Sequence, residues 1–462
     1  MRDTKNALKQ IIRVLDEKRE MILKAERELW GMPELGFKEW KSSEYMEMGF
    51  RSLGYELTLA QDIPGFYTVV NTGREGPEVL VLAELDAVIC PSHPDADPKS
   101  GAAHACGHNT QCAAMLGVAA ALKDPEVLSR LSGRIRLCVV PAEECLDIEY
   151  RQGLRDAGVI RYLGGKSEFL ARGYFDGVDL AFMVHMSTGA TSSGAYVNID
   201  SRSLGFISKK ITFKGKTAHA SGAPWLGKNA LYAATSAINS INALRETFNP
   251  RDSVKWHPIM TSGGSGVNNI PDTAVIESVL RAASFEALDR ENQKIDRALI
   301  GAALSFGVGV EIWDEPGYAP LYQNGLLGEL AVEAYDLLAP HTSLERKKCS
   351  FGRGGVGGGS MDLGDLSAIM PTLHPYLSGS TGRGHGDDYR IVDPETACVT
   401  NAKWQLTMLT LLLGDGARRA KEIISDYSPE FSSKEDFLAH QDKMRRRADR
   451  IEYLPDGGVI IK

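Results

Sequence analysis

Glu78-Val79-Leu80-Val81-Leu82-Ala83, running on into Glu84-Leu85-Asp86-Ala87, is the stretch that decides the fold. It is apolar from Val79 to Ala83 without the alternation of a half-solvated strand, which predicts a strand buried on both faces. Residues 135–140 read the same way, and a strong helix is expected between the two at 113–122. Helices alternating with such strands imply an α/β sheet, whose ligand site lies beyond the C-terminal ends of the strands. Asp86 falls just past the first strand, and Glu143 and Glu144, in Pro141-Ala142-Glu143-Glu144, fall just past the second. His185 ends a third apolar run that begins at Phe182.

Upstream, Leu8, Ile11, Ile12 and Leu15 recur at helical spacing, and Glu26, Leu29 and Trp30 continue the apolar face. A second helix is expected at 41–53, ending at Gly54, followed by a short strand at 67–70. Downstream, the character changes near Ser203. A strand at 204–213, a helix at 229–244, strands at 258–262 and 273–282, a helix at 285–303 and a strand at 308–313 follow in turn. That order is ferredoxin-like. Helix-and-strand character resumes at 325–338, so the module reads as an insertion. The expected organisation is a first catalytic segment at 1–203, the inserted α+β module at 204–316 and a second catalytic segment at 317–462. The last segment carries a C-terminal extension from about Asp426 for which the sequence offers no role. The glycine-rich stretch 351–359 lacks the Gly-Lys-Ser/Thr ending of a phosphate loop and reads as a mobile loop.

With 462 residues, two domains are the default. A net charge of −8 argues against a nucleic-acid or anionic-membrane partner. The run Arg445-Arg446-Arg447 sits among acidic neighbours and reads as a solvated helix face. No apolar leader or membrane-length stretch is present, and the seven cysteines follow no disulfide framework, so a reducing, cytoplasmic home is expected.

The chemistry concentrates in Ala103-His104-Ala105-Cys106-Gly107-His108-Asn109. On a loop or extended segment, Cys106 and His108 can converge on one borderline-soft divalent ion. The bland alternative is a buried thiol and a helix-capping histidine. Of Glu143 and Glu144, one can bind metal while the other acts as general base on a metal-activated water; solvated strand ends are the alternative. Asp86 suits the orientation of a ligand imidazole, or equally a helix cap. His385, in Gly384-His385-Gly386-Asp387-Asp388, and His219, in Thr217-Ala218-His219-Ala220-Ser221, sit in small-residue surroundings that allow close approach. A serine hydrolase is the competing scheme, but no Gly-x-Ser-x-Gly elbow occurs on a strand-to-helix turn.

Together these stretches resemble the M20 metallopeptidase/amidohydrolase family, in its branch of auxin-conjugate hydrolases, aminoacylase-1-like proteins and p-aminobenzoyl-glutamate hydrolase. The likeness also draws on Met32-Pro33-Glu34-Leu35-Gly36-Phe37, Lys216 to Ala220, Asn268-Asn269-Ile270-Pro271, Ser360-Met361-Asp362 and Pro371-Thr372-Leu373-His374-Pro375. The resemblance implies a zinc-peptidase-like catalytic α/β domain whose inserted ferredoxin-like lid also forms a homodimer. It implies a site for two divalent metals, zinc or manganese with cobalt as a further fit, held by Cys106, His108, Glu144, His185 and His385. Glu143 would be the general base, and His219 the lid histidine that reaches the partner's site to stabilise an oxyanion. Asn268 would contact substrate and Arg281 would take its carboxylate. The implied reaction is hydrolysis of the amide bond in an N-acyl or N-aroyl amino acid or a dipeptide. An aminohydrolase acting on an aryl amine, or a metal-free binding protein of the same fold, are the alternatives. Three departures stand out: Asn109 where the auxin-conjugate branch has aspartate, Pro224-Trp225 where lids often have Pro-His, and non-glycine surroundings at Arg281.

Overall fold

In the structure, a computed structural model that describes residues 2–188, 195–342, 344, 348–352 and 355–462, the run Glu78–Glu84 is a strand with every residue buried. Val79, Leu80, Val81 and Leu82 are all at most 2% exposed. At ~1.5–3 kcal/mol for each such side chain before entropy, this strand outweighs any surface ion pair in fixing the sheet. Two units result, and each has its own core.

The first unit comprises Met1–Arg202, Tyr322–Gly355 and Asp365–Lys434. Its six-stranded sheet runs in the order Thr58–Leu59, Phe66–Asn71, Arg134–Val140, Glu78–Glu84, Leu180–Phe182, Thr372–Leu373. The last four strands of that order are parallel, so their C-terminal ends share one edge of the sheet. Three of them, Arg134–Val140, Glu78–Glu84 and Leu180–Phe182, lie inside the sheet with both faces covered, and their sequences lack alternation. The N-terminal region forms two helices, Arg2–Glu17 and Arg19–Trp30, where one apolar face suggested continuity.

The helix expected at 113–122 begins earlier, spanning His108–Ala121, and is buried along its whole length. A helix buried all round carries no amphipathic period. Its start also lacks a polar capping side chain, because Gly107 holds the N-cap position at φ +87°. Cys106 and His108 thus flank a left-handed turn into a helix, and not a loop or extended segment.

The second unit comprises Ser203–Leu321, Val356–Gly364 and Glu435–Lys462. Its antiparallel sheet has the order Lys255–Ser262, Thr273–Ala282, Gly205–Lys214, Gly309–Pro316, Arg446–Asp449. The first four strands, with helices Ala230–Leu244 and Phe285–Phe306, make the ferredoxin-like module. Ala230, Ala233, Ala234, Ala237 and Ile241 form the buried stripe of the first helix. The second helix is capped at its start by the Ser284 hydroxyl, which accepts from Ala287 N at 3.2 Å, and stops at Gly307, φ +63°.

The fifth strand was not foreseen. Residues Glu435–Lys462, expected with the catalytic segments, group with the inserted module and extend its sheet. Arg445-Arg446-Arg447 is correspondingly no solvated helix face. Arg445 pairs with Glu315 at 3.0 Å, Arg446 with Asp314 at 2.7 Å and Arg447 with Glu311 at 2.9 Å. Arg446 also meets Asp296, and there it joins the buried Lys209, whose ammonium lies 2.8 Å from Asp296 Oδ1 and 2.7 Å from Asn292 Oδ1. The pattern of like charge along the sequence conceals this, because the acidic partners lie 130 or more positions away. The glycine-rich stretch 351–359 falls partly outside the described residues, at 353 and 354. Among the described residues no helix is long and apolar enough to cross a membrane.

Candidate metal centre

Three neighbouring parallel strands discharge their following residues at one edge of the first unit's sheet. Glu84 leads to Asp86, Val140 to Glu143 and Glu144, and Phe182 to His185. His185 does not end its strand but opens the next one, His185–Thr188, which pairs with Tyr376–Thr381. The buried helix His108–Ala121 begins at the same edge. His385 arrives on a tight loop at φ +60°, its N–H donating to the Ala105 carbonyl at 2.8 Å.

These residues lie within ligand distance of one another. Cys106 Sγ is 3.4 Å from His185 Nε2, and His385 Nε2 is 2.9 Å from Glu144 Oε1. Cys106, His108 and His185 form one group whose donor atoms all lie within 4.8 Å, and Cys106, Glu144 and His385 form a second. His108, Glu143 and Glu144 form a third, so Cys106 and His108 each belong to two groups. Ligand atoms around a tetrahedral ion with ~2.0–2.3 Å bonds lie about 3.3–3.8 Å apart, close to these separations. His108 adds a direct test of fit. It is fully buried, and its Nε2 has no hydrogen-bond partner. A soft thiol, three imidazoles and carboxylates around an orphaned imidazole nitrogen suit a zinc-like cation.

Asp86 ties the parts together. His108 Nδ1 lies 2.8 Å from the Asp86 carbonyl and 3.2 Å from its Oδ1, two acceptors, so Nδ1 carries the proton and Nε2 faces the site. The other carboxylate oxygen accepts from Glu144 N at 2.8 Å. His185 is oriented by its Nδ1 contact to the Met186 carbonyl at 2.8 Å and by the rings of His374 and Tyr376, 5.5 and 5.4 Å away. Gly107 permits the close turn: a Cβ there would sit 2.5 Å from Tyr389 Oη and 2.9 Å from Met186 Cγ.

The electrostatics are those of a site built for cations. Burial opposes charge on His108, but Glu84, Asp86 and Glu144 outweigh it and raise the imidazole to about 9. Burial, with Glu144 and Glu143, pushes the Cys106 thiol well up. Burial and neighbouring His108 push His185 down. Burial takes His374 down to about 3, with His185 adding to the effect. A ligand set must shed protons to take a cation, so binding here releases protons.

The remaining sequence-derived candidates lie in the second unit. His219 is exposed, and its Nδ1 accepts from Gly222 N at 2.9 Å and Ser221 N at 3.2 Å, which leaves Nε2 as the N–H. Exposed Asn268 is beside it, its carbonyl accepting from Ala220 N at 2.8 Å. Arg281 is not brought to them. It pairs across from Phe206, whereas Thr273 at the other end of the same strand pairs with Lys214. Eight residues at ~3.4 Å each separate the two ends by about 27 Å. Arg281 instead donates to Ser360 Oγ and stacks on Phe206, 5.2 Å from the ring centre.

Known proteins resemble this chain in sequence and in fold. The chain is 28% identical to mouse Xaa-Arg dipeptidase over 387 residues, 81% of this chain and 80% of that one. It is 30% identical to one of the two chains of Escherichia coli p-aminobenzoyl-glutamate hydrolase over 257 residues, 54% of each protein. Residues 203–305 match the M20 family's peptidase dimerisation domain. The fold is similar to that of a dinuclear metal-binding peptidase of the M20 family from Bacillus subtilis, with TM-score 0.66, 19% identity, and coverage of 86% of this chain and 99% of that one. These matches tie the chain to M20 proteins in part of its sequence and in its fold. Like its M20 relatives it is a hydrolase. Sequence reasoning singled out seven residues that this M20 fold gathers in the first unit: Asp86, Cys106, His108, Glu143, Glu144, His185 and His385. It missed Glu84, which lies in the same edge of the sheet and reads in sequence as the last residue of a strand. It also missed Lys166, fully buried in the short helix Gly165–Ala171, where nothing but a run of small neighbours hints at burial.

Proposed function

We propose that this chain is a metal-dependent amidohydrolase that cleaves the amide bond of an N-acyl or N-aroyl amino acid, or of a dipeptide. The reading is carried by the cluster of Cys106, His108, Glu144, His185 and His385 with Glu143 beside it, at the ends of three parallel strands. Those five side chains would hold two divalent cations, zinc or manganese by donor chemistry, with cobalt a further fit. When bound, the cations polarise the amide carbonyl and make water more acidic.

Glu143 is assigned the proton transfers. One of its oxygens takes the proton of the attacking water, and the same group delivers it to the leaving amine nitrogen. The division between the two glutamates rests on Glu144, whose carboxylate is already engaged by His385. Asp86 holds His108 with Nε2 inward and fixes the backbone of Glu144. His219 would reach the partner's site, as the resemblance implies, and present Nε2–H to the oxyanion there, with the neighbouring Asn268 offering its side-chain amide to the same substrate. Arg281, with its planar fork, would take the carboxylate of the released amino acid. The relatives' names support this substrate class: one carries arginine and the other glutamate on the leaving side, so an amide nitrogen borne by an α-amino acid is what they share. A homodimer formed through the inserted unit is supported by the dimerisation-domain match. That none of the seven cysteines is in a disulfide supports a reducing compartment such as the cytoplasm.

The test is metal content of the purified protein together with amino-acid release from a panel of N-acyl amino acids and dipeptides, with and without chelator. About two cations per chain and chelator-sensitive release are expected. Ammonia without a free amino acid would refute the amidase assignment.

A further inference from the structure

Glu84 stands outside the ligand set assigned above, yet its carboxylate is built into the same place. It is 1% exposed, and its Oε2 lies 3.2 Å from His108 Nε2. The two atoms make no hydrogen bond, since His108 Nε2 has no partner of acceptable geometry. A carboxylate oxygen and an imidazole nitrogen that close, but not directed at each other, have the relation of two ligands facing a common third atom. The spacing falls between the 2.9 Å of His385 to Glu144 and the 3.4 Å of Cys106 to His185. A Glu84 oxygen also lies within 4.8 Å of one from Glu143.

The carboxylate is held firmly in that aim. Its other oxygen, Oε1, meets the ammonium of Lys166, which is itself fully buried. Gln111 Nε2 donates to Oε2 at 2.8 Å, and the Gln111 carbonyl oxygen accepts from Glu84 N at 3.3 Å. Gln111 is one turn along the helix that His108 opens, so the imidazole and the anchor of the carboxylate move as one rigid piece. Oε2 keeps a second lone pair after accepting from Gln111.

Resting on the reading of this cluster as a metal centre, we propose that Glu84 is a further ligand of that centre, sharing a cation with His108 through Oε2, and that Lys166 and Gln111 are the positioning residues that aim it. The lysine answers a specific need. Glu84, Asp86 and Glu143 are carboxylates less than 9% exposed around one site, and a buried ammonium on the far oxygen offsets part of their mutual repulsion.

The experiment compares wild type, Glu84→Gln and the double variant Glu84→Gln/Lys166→Met, each as the full chain stripped of metal and reloaded with Zn(II) or Co(II). Dissociation constants come from competition with a chromophoric chelator, and coordination from the Co(II) visible absorption. Loss of at least tenfold in affinity for one cation, with the other within threefold, and an altered Co(II) spectrum are expected for Glu84→Gln. Should that variant fail to fold because the Lys166 ammonium has lost its carboxylate, the double variant, neutral at both positions, is the one to read, and the same losses are expected. Zinc affinities within twofold of wild type and a superimposable Co(II) spectrum in a folded variant overturn the proposal. If wild type itself binds no cation, the metal-centre reading fails at its root and Glu84 falls with it.

Discussion

Asp86→Asn is the substitution that asks most of the site. Asp86 offers two carboxylate oxygens to two different parts of the cluster: Oδ1 to His108 Nδ1 at 3.2 Å and Oδ2 to the Glu144 N–H at 2.8 Å. Asparagine has the same shape but a single oxygen. If that oxygen keeps the shorter bond to Glu144, the amide NH2 must face the Nδ1–H of His108, donor against donor. The imidazole keeps one acceptor, the Asp86 backbone carbonyl at 2.8 Å, so its tautomer survives while its ring is pushed off line. Replacing a charged acceptor by a buried mismatch costs roughly 1–3 kcal/mol. For the cation that His108 is proposed to hold, this corresponds to a 10–100-fold loss of metal affinity, about 1.4–2.7 kcal/mol. Chelator competition on the apo-protein reads the affinity, and turnover at saturating metal reads what remains. Near wild-type activity should return when metal is in excess, because no atom of Asp86 is assigned to the substrate. An unchanged dissociation constant would refute the orienting role and leave Asp86 a turn-forming residue.

Glu143→Gln should keep its metals but lose about 10²–10⁴-fold in kcat, the span of general base catalysis, and unchanged turnover would sink the assignment. In the second unit, acid should destabilise through Asp314, because burial opposes its charge but Lys209 and Arg446 outweigh it and hold the carboxyl low. That stabilisation is complete above the ordinary carboxylate range near pH 4 and drains away as pH falls toward the depressed folded value. Thermal melts from pH 7 to pH 3 should therefore steepen below pH 4 in wild type and lose that component in Asp314→Asn. Arg446→Ala removes a guanidinium from Asp314 and Asp296, and a loss of about 3–5 kcal/mol is expected for breaking a buried charge cluster, read by denaturant unfolding.

The sheet was legible because its strands obey a simple rule. Residues buried on both faces cannot alternate, and Glu78–Glu84 and Arg134–Val140 declare themselves by that alone. The positions after them were legible for the same reason, since a strand's end locates Asp86, Glu143 and Glu144 without further information. The ferredoxin-like insertion was equally plain, as each of its helices buries one stripe. What stayed hidden depends on distant partners. Lys166 looks like any surface lysine until Glu84 is placed against it, 82 positions earlier. Arg446 looks like part of a basic face until Asp314 and Asp296 appear. The start of the helix at His108 was missed because a positive-φ glycine, and no capping side chain, marks it. The separation of Arg281 from His219 and Asn268 needs a strand register, which no local pattern carries.

The centre draws His185 and His385 from opposite sides of the inserted unit, 200 positions apart in the chain. During synthesis at ~5–20 residues per second, the ribosome takes on the order of 10–40 s to pass from one to the other. For that interval the nascent polypeptide displays Cys106, His108 and His185 without His385, and the ferredoxin-like block between them still lacks its fifth strand, Arg446–Asp449, and the core residue Ile451. A chain arrested before His385 would carry an insertion without its fifth strand and a cluster without one of its imidazoles, so neither unit is complete until the C-terminal residues have been made.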